Sequence, residues 1–163
     1  MQQILLIQPK TYKYIDYIQK GDKTVYGFIA QQIKEVIPEA VSIQEEIIPN
    51  IYSIGINNNN TITFNNSNNV ILNNNDEIDI FNSYGKKNTY KILNVVNENT
   101  FTVDKEIETN DVFIYGKKIN DFHTISKEYI FTLNVCATQE LYKLITKLQE
   151  RVEYLENKLI RFF

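Results

Sequence analysis

The stretch from Ser126 to about Arg161 is the feature of this sequence that most constrains the fold. It contains no Gly and no Pro, and apolar residues recur in alternating steps of three and four, which predicts one apolar stripe on an α-helix. Charged and polar residues fill the other faces, as in a coiled-coil strand. The stripe consists of Ile130, Leu133, Ala137, Leu141, Leu144, Leu148, Val152, Leu155, Leu159 and Phe162.

The length of this helix favours pairing between chains. At 1.5 Å per residue it would run about 50 Å, which exceeds the width of a small domain. An ordinary amphipathic helix packed on its own domain is the alternative, but its distal leucines would then be exposed to solvent. We therefore expect the distal half to pair with copies of itself.

Composition narrows the function classes. The chain has 163 residues, 43% of them hydrophobic, and a net charge of -3, which suits one folded domain or two small ones. The absence of a basic block argues against nucleic acid as a partner. Cys136 is the only cysteine, so neither an intrachain disulfide nor a Cys-rich metal site is expected. No secretion signal and no membrane span is evident, and we expect no cofactor.

The first fifty residues predict a compact α+β unit. Aromatic and β-branched residues in Thr11–Tyr17, a Gly21-Asp22 turn and a returning Lys23–Phe28 predict a β-hairpin. Apolar residues at helical spacing predict a two-turn helix over Ala30–Ile37, which Pro38 ends. Ala40 to Ile43 is expected to be extended.

The segment from Val25 to Val41 resembles the signature of the intramolecular chaperone auto-processing domain. This domain is found at the C-termini of phage tailspikes, endosialidases and related viral fibre proteins. The residues that carry this resemblance are Tyr26, Gly27, Phe28, Ile29, Ala30, Gln31 and Pro38. Leu6–Tyr14 is similar to the strand preceding that signature, and the helix from Ala137 through Leu155 is similar to the family's C-terminal helix. The resemblance implies a homotrimeric folding module.

Residues 53–118 form an insertion between these blocks. Asn57 to Asn75 is an Asn-rich tract, interrupted by Thr61–Phe64 and Val70–Leu72, which suits short strands joined by turns or, alternatively, disorder. Alternating patterns then predict four further strands and a small barrel or curled sheet. These strands are Glu77–Phe81, Thr89–Val96, Thr100–Val103 and Val112–Tyr115, after which Gly116, Lys117 and Lys118 are expected to lead out toward the helix.

Candidate catalytic residues are few. Asp121, His123 and Ser126 could be assembled into a triad, but a triad is defined by spatial roles, and Ser126 stands where a helix N-cap belongs. Capping and packing are therefore the favoured roles. The adjacent acidic pairs Glu45-Glu46 and Asp76-Glu77 would point to opposite faces of a strand and would not act as an acid/base couple.

The resemblance implies a different catalytic device, which this sequence lacks. Auto-processing members carry a Ser-Asp dipeptide cut between its two residues, and a following Lys that acts as general base. A lysine can do this only where burial lowers its pKa. No Ser-Asp dipeptide occurs in the chain. We therefore expect an N-terminally truncated member of the family that has no catalytic residues and is not an enzyme by this route.

The sequence thus predicts an α+β protein with three parts. Residues 1–52 form the hairpin-helix part, 53–118 the inserted β unit, and 119–163 the helix of a trimeric coiled coil. We expect a parallel homotrimer that assists folding of an upstream viral fibre or tail protein, in the virion or the host cytoplasm. A receptor-binding or structural virion protein and an active self-cleaving serine peptidase are the alternatives. The predicted trimer interface is Leu141, Leu144, Leu148, Val152, Leu155 and Leu159.

Overall fold

The computed structural model describes residues 2–160, which form two compact units. Within that range the first unit comprises residues 2–10, 26–42 and 123–160, and the second comprises 11–25 and 43–122. The helices are α1 (Gln2–Leu6), α2 (Tyr17–Lys20), α3 (Ala30–Val36) and α4 (Lys127–Ile160), with a 3-10 turn at Pro38–Ala40. The strands are β1 (Lys10–Tyr12), β2 (Val25–Gly27), β3 (Val41–Ile47), β4 (Ser53–Asn58), β5 (Thr61–Phe64), β6 (Glu77–Asn82), β7 (Lys87–Asn97), β8 (Thr100–Val103) and β9 (Asp111–Ile125). The predicted α+β class is confirmed.

The second unit contains a closed β-barrel. Six strands neighbour one another in the order β9-β4-β5-β8-β7-β6, and β6 pairs again with β9, which closes the ring. The ring pairings are antiparallel, and β3 is an additional strand beside β9. Alternate residues point inward and form the core, which includes Ile62, Ile78, Ile80, Ile92, Phe101 and Ile114. The small barrel predicted for the insertion is therefore present.

Strand β9 differs most from expectation. Gly116, Lys117 and Lys118 do not lead out of the barrel but lie inside this fifteen-residue strand. Gly116 is required there, because a Cβ at this position would collide with the carbonyl oxygen of Ile48. The two lysines are held by acidic partners distant in sequence, which a local pattern does not reveal: Lys117 pairs with Asp76, and Lys118 with Glu45 and Glu77.

The Asn-rich tract is organised by asparagine side chains. Asn57 lies in β4, a strand missing from the prediction, and its amide donates to the carbonyl oxygens of Ile107 and Thr109. Asn66 accepts a hydrogen bond from the Val70 N–H and donates to the Val70 carbonyl. Val70–Leu72, predicted as a strand, is not one. Left-handed φ angles, which Asn tolerates better than most residues, occur at Asn59, Asn60, Asn69 and Asn75.

The first unit is built around α3. Ile33, Ile37 and Ala40 form its buried centre, against which Phe28, Ile130 and Leu133 pack. The helix predicted over Ala30–Ile37 is confirmed, and Pro38 ends it as expected by opening the 3-10 turn. The predicted hairpin is correct only in part. β1 and β2 do pair, but Tyr17 begins α2 instead of extending a strand, because Asp16 caps that helix through the Gln19 N–H.

Candidate assembly helix and the motif in the same unit

Some motif residues shape the local fold, and others leave their side chains at the surface. Phe28 packs on the centre of the first unit, Ala30 begins α3, and Pro38 follows the end of that helix. Tyr26, Ile29 and Gln31 leave their side chains exposed. The first set explains why this stretch folds as strand, turn and helix. The second set leaves part of the motif accessible on the surface of this unit.

Helix α4 changes its surroundings along its length. Its proximal part packs on the first unit through Ile130 and Leu133, and Ala137 is buried. The six side chains predicted to form the trimer interface are 47 to 64% exposed. Within residues 2–160 nothing covers them, although α4 continues without interruption to Ile160. A continuous apolar surface of this kind marks an interaction site in most proteins.

The exposed part of α4 has a seven-residue repeat. Leu141, Leu148 and Leu155 form one row, and Ile145, Val152 and Leu159 form a second row four residues further on. This spacing is the one that the two core rows of a coiled coil have. A shallow groove on the helix is lined by Ile145, Leu148 and Val152 together. The row that begins at Leu144 continues with the charged residues Arg151 and Lys158. A heptad seam would therefore include Ile145, which is absent from the predicted interface, and Leu144 would flank it.

The charged flanks of the apolar rows have a pattern that would suit parallel pairing. In heptad positions, Arg151 is a g residue and Glu156 is the e residue that would face it across a parallel, in-register interface. An antiparallel arrangement would place Arg151 near Lys158 of the facing helix instead. In the single chain the Arg151 guanidinium lies 5.2 Å from the centre of the Tyr154 ring.

Ser126 and His123, two of the residues considered as a triad, each have a partner outside it. Ser126 immediately precedes α4, and Glu128 lies in the first turn of that helix. The Ser126 hydroxyl donates a hydrogen bond of 2.8 Å to the Glu128 carboxylate. The Glu128 carboxylate also accepts its own backbone N–H, and this bond, followed by that of Ser126, lowers its pKa. A carboxylate at this end of a helix also satisfies free N–H groups. His123 Nε2 lies 3.3 Å from Lys34 Nζ.

Between residues 2 and 160, no helix is both long and apolar enough to cross a membrane. The same part of the chain holds no cluster of three or more His, Cys, Asp or Glu side chains placed to bind a metal ion.

A family model matches the N-terminal part of the chain. Residues 1–42 match the peptidase S74 family, described as the chaperone of endosialidase. The matched segment contains the whole motif from Tyr26 to Pro38, so the resemblance inferred from the sequence is confirmed over these residues. Members of this class are self-cleaving chaperone domains. The similarity of the C-terminal helix to that of the family lies outside the match and stays a prediction.

A particular relative is the uncharacterized protein VP1 of Micromonas pusilla reovirus. It is 24% identical over an alignment that covers 96% of this chain. The chain spans about 11% of the length of that relative. The relative is a viral protein, in agreement with the expectation from the sequence. No solved structure matches the chain.

Proposed function

We propose that this chain is an intramolecular-chaperone-like module of a viral fibre or tail protein, which brings three copies together through α4. The observation that carries the proposal is the exposed double row of apolar residues along the distal half of the helix. The match of residues 1–42 to the endosialidase chaperone supports the chaperone role. Holding chain ends together lowers the entropic cost of folding three intertwined copies, because later contacts become intramolecular.

The number of chains rests on the resemblance to the family. One row contains the β-branched residues Ile145 and Val152, and the other contains Leu148. This combination also suits two-stranded coiled coils. Sedimentation equilibrium of the whole chain counts the copies directly. We expect three times the chain mass of 19.2 kDa. A dimer would refute the trimer and keep the coiled coil, whereas a concentration-independent monomer would refute both.

The native Cys136 tests the parallel orientation. It is exposed and lies close before the seam, so a spin label there reports the distance between equivalent ends of the paired helices. In a parallel assembly the labels lie at the same level, and we expect separations below about 30 Å. An antiparallel pair would move them about 40 Å apart along the axis, at 1.5 Å per residue.

The barrel is proposed to be dispensable for assembly. Ser42 and Thr124 lie side by side in β3 and β9, with their hydroxyl oxygens 2.7 Å apart. An Asn-Gly turn can therefore join residue 42 to residue 123 in place of residues 43–122. We expect this shortened chain to assemble like the parent. Unfolded or monomeric protein would show that the barrel is part of the assembly machinery.

The client is proposed to be the fibre or tail sequence to which such a module is joined. Co-expression of the module with a candidate β-rich shaft in one polypeptide, compared with the shaft alone, tests this role. We expect a larger fraction of soluble, protease-resistant trimeric shaft when the module is attached. Equal yields from both would argue against a chaperone role, and leave assembly as the function of α4.

A further inference from the structure

Four aromatic side chains form a cluster on the outside of the barrel. Phe113 and Tyr115 alternate along β9 with the inward-facing Val112 and Ile114, so their rings lie on the outer face. Each ring of the cluster contacts two others at steep angles. The centroid distances are 4.9 Å for Tyr52–Phe113, 6.1 Å for Phe113–Phe81, 6.2 Å for Phe81–Tyr115 and 6.1 Å for Tyr115–Tyr52.

A buried carboxylate lies against this cluster. Asp16 is 4% exposed and accepts hydrogen bonds from the Tyr52 hydroxyl at 3.1 Å, the Tyr115 hydroxyl at 3.2 Å and the Gln19 N–H at 3.2 Å. All three donors are neutral. No ion pair reaches Asp16 within the described range, 2–160. A buried charge is costly unless a cation compensates it, so the site has a negative charge without a counterpart.

The cluster is accessible from solvent. Asp16 and the four rings line a pocket of about 350 Å³, which is within the size range of small-molecule sites. Tyr52 has a left-handed backbone, with φ of 50°, and such strain in a bulky residue is found mainly where function requires it. The Tyr52 side chain, like that of Tyr115, joins the aromatic cluster to Asp16.

One ring of the cluster already accommodates a cation. The Lys87 ammonium lies 5.7 Å from the centre of the Tyr115 ring, and it is paired with the Asp79 carboxylate at 2.7 Å. Its charge is therefore compensated locally, and that of Asp16 is not. Aromatic faces combined with an uncompensated carboxylate form the kind of surface that attracts alkylated ammonium groups.

We propose that the Asp16 carboxylate and the rings of Tyr52, Phe81, Phe113 and Tyr115 form a binding site for an alkylammonium group. The group would stand against the aromatic faces with its charge toward Asp16. Two sources carry this chemistry, a choline head group and a methylated lysine side chain. The site lies entirely within the barrel unit, so it does not depend on the number of chains in the assembly.

The charge of the ligand is the first thing to test. The full chain is titrated with choline and, separately, with 3,3-dimethylbutanol, which has the same shape and no charge, while amide and aromatic shifts are followed by NMR. We expect saturable shifts around Asp16 and Tyr52 with choline, and binding of the neutral alcohol weaker by about tenfold or more. Trimethyl-lysine methyl ester serves as a third probe, and the tighter of the two cations identifies the source.

Matched variants test the residues. Asp16→Asn keeps the size and the ability to cap α2, and we expect it to weaken choline binding by about tenfold. Asp22→Asn removes an equal charge from the same segment, where Asp22 is exposed and paired with Lys13, and should leave binding unchanged. Phe81→Leu removes one aromatic face, and we expect a loss of about threefold.

Three results would overturn the proposal. They are the absence of saturable shifts with either cation, equal affinity for choline and its neutral counterpart, and unchanged binding in a folded Asp16→Asn variant. If that variant does not fold, the comparison of choline with the alcohol and the Phe81→Leu variant decide by themselves. Equal affinities for the charged and the neutral probe would identify the pocket as an apolar contact that packs residues 11–25 on the barrel.

Discussion

The Leu148→Ala substitution tests the assembly helix most directly. The change removes three carbon atoms, each contributing about 0.8 kcal/mol when buried. Leu148 is 64% exposed in the single chain, so this fraction of the stabilisation becomes available only on assembly. The expected loss is about 1.5 kcal/mol per chain and about 4.5 kcal/mol per trimer. The association constant should fall by about three orders of magnitude.

The assay is sedimentation equilibrium over a range of concentrations. For a monomer–trimer equilibrium the midpoint concentration varies with the inverse square root of the association constant. The midpoint should therefore rise by about 40-fold. Glu150→Ala is the matched control, because residue 150 lies two positions away on the opposite side of the helix. Both changes introduce the residue with the highest helix propensity, so neither should unwind α4.

Two outcomes would refute the reasoning. If Leu148→Ala shifts the midpoint no more than Glu150→Ala, the distal leucines do not form the interface. If Leu144→Ala has a larger effect than Ile145→Ala, chains associate through a different face, and the heptad assignment is wrong.

Three further substitutions test other parts of the structure. Arg151→Glu should weaken assembly at low salt, and the double variant Arg151→Glu/Glu156→Arg should restore it, which sedimentation would measure. Failure of the double variant to restore assembly would argue against parallel, in-register helices. Gly116→Ala should destabilise the barrel by about 2 kcal/mol or more in urea unfolding. This loss should exceed the roughly 1 kcal/mol expected for Gly85→Ala, where the backbone is left-handed. A larger loss for Gly85→Ala would contradict the close backbone approach at Gly116. Burial, followed by the Asp16 charge, raises the pKa of Tyr115 to about 12 from 10.0. The contribution of the neutral Tyr115 hydroxyl to stability is therefore complete below pH 10 and is lost from pH 10 toward 12. An absorbance titration in which the Tyr115→Phe variant retains the highest tyrosine pKa would refute this.

Local periodicity is why much of the fold could be predicted. Helix α4 and the strands β5, β6, β7 and β8 were found because their apolar residues repeat at helical or alternating spacing. β4 was missed because Gly55 and the following asparagines interrupt its pattern. Val70 and Leu72 have the composition of a strand, but they pack on the barrel core from an irregular segment. An apolar run of three residues does not distinguish these outcomes.

The aromatic pocket could not be predicted, because its members are distant in sequence. Asp16 and Tyr52 are 36 residues apart, and Asp16 and Tyr115 are 99 apart. Tyrosines are abundant in this chain, and only the barrel register shows which of them share a face. The signal that was present locally is the acidic residue before Tyr17, since Asp is a preferred helix N-cap. In the structure this residue caps α2, so the strand predicted over Thr11–Tyr17 does not continue through it.

The apolar stripe of α4 gives the motif and the assembly surface a common mechanical link. Ile130 and Leu133 pack on the α3 core, and the same side of the same helix continues as the uncovered seam from Leu141. A helix without Gly or Pro between these parts transmits orientation with little bending. Folding of the motif around Ile33 therefore fixes the direction in which the distal part of α4 extends from that core. Assembly through the seam would, in turn, stabilise the folded motif, because any association that requires the folded form favours that form.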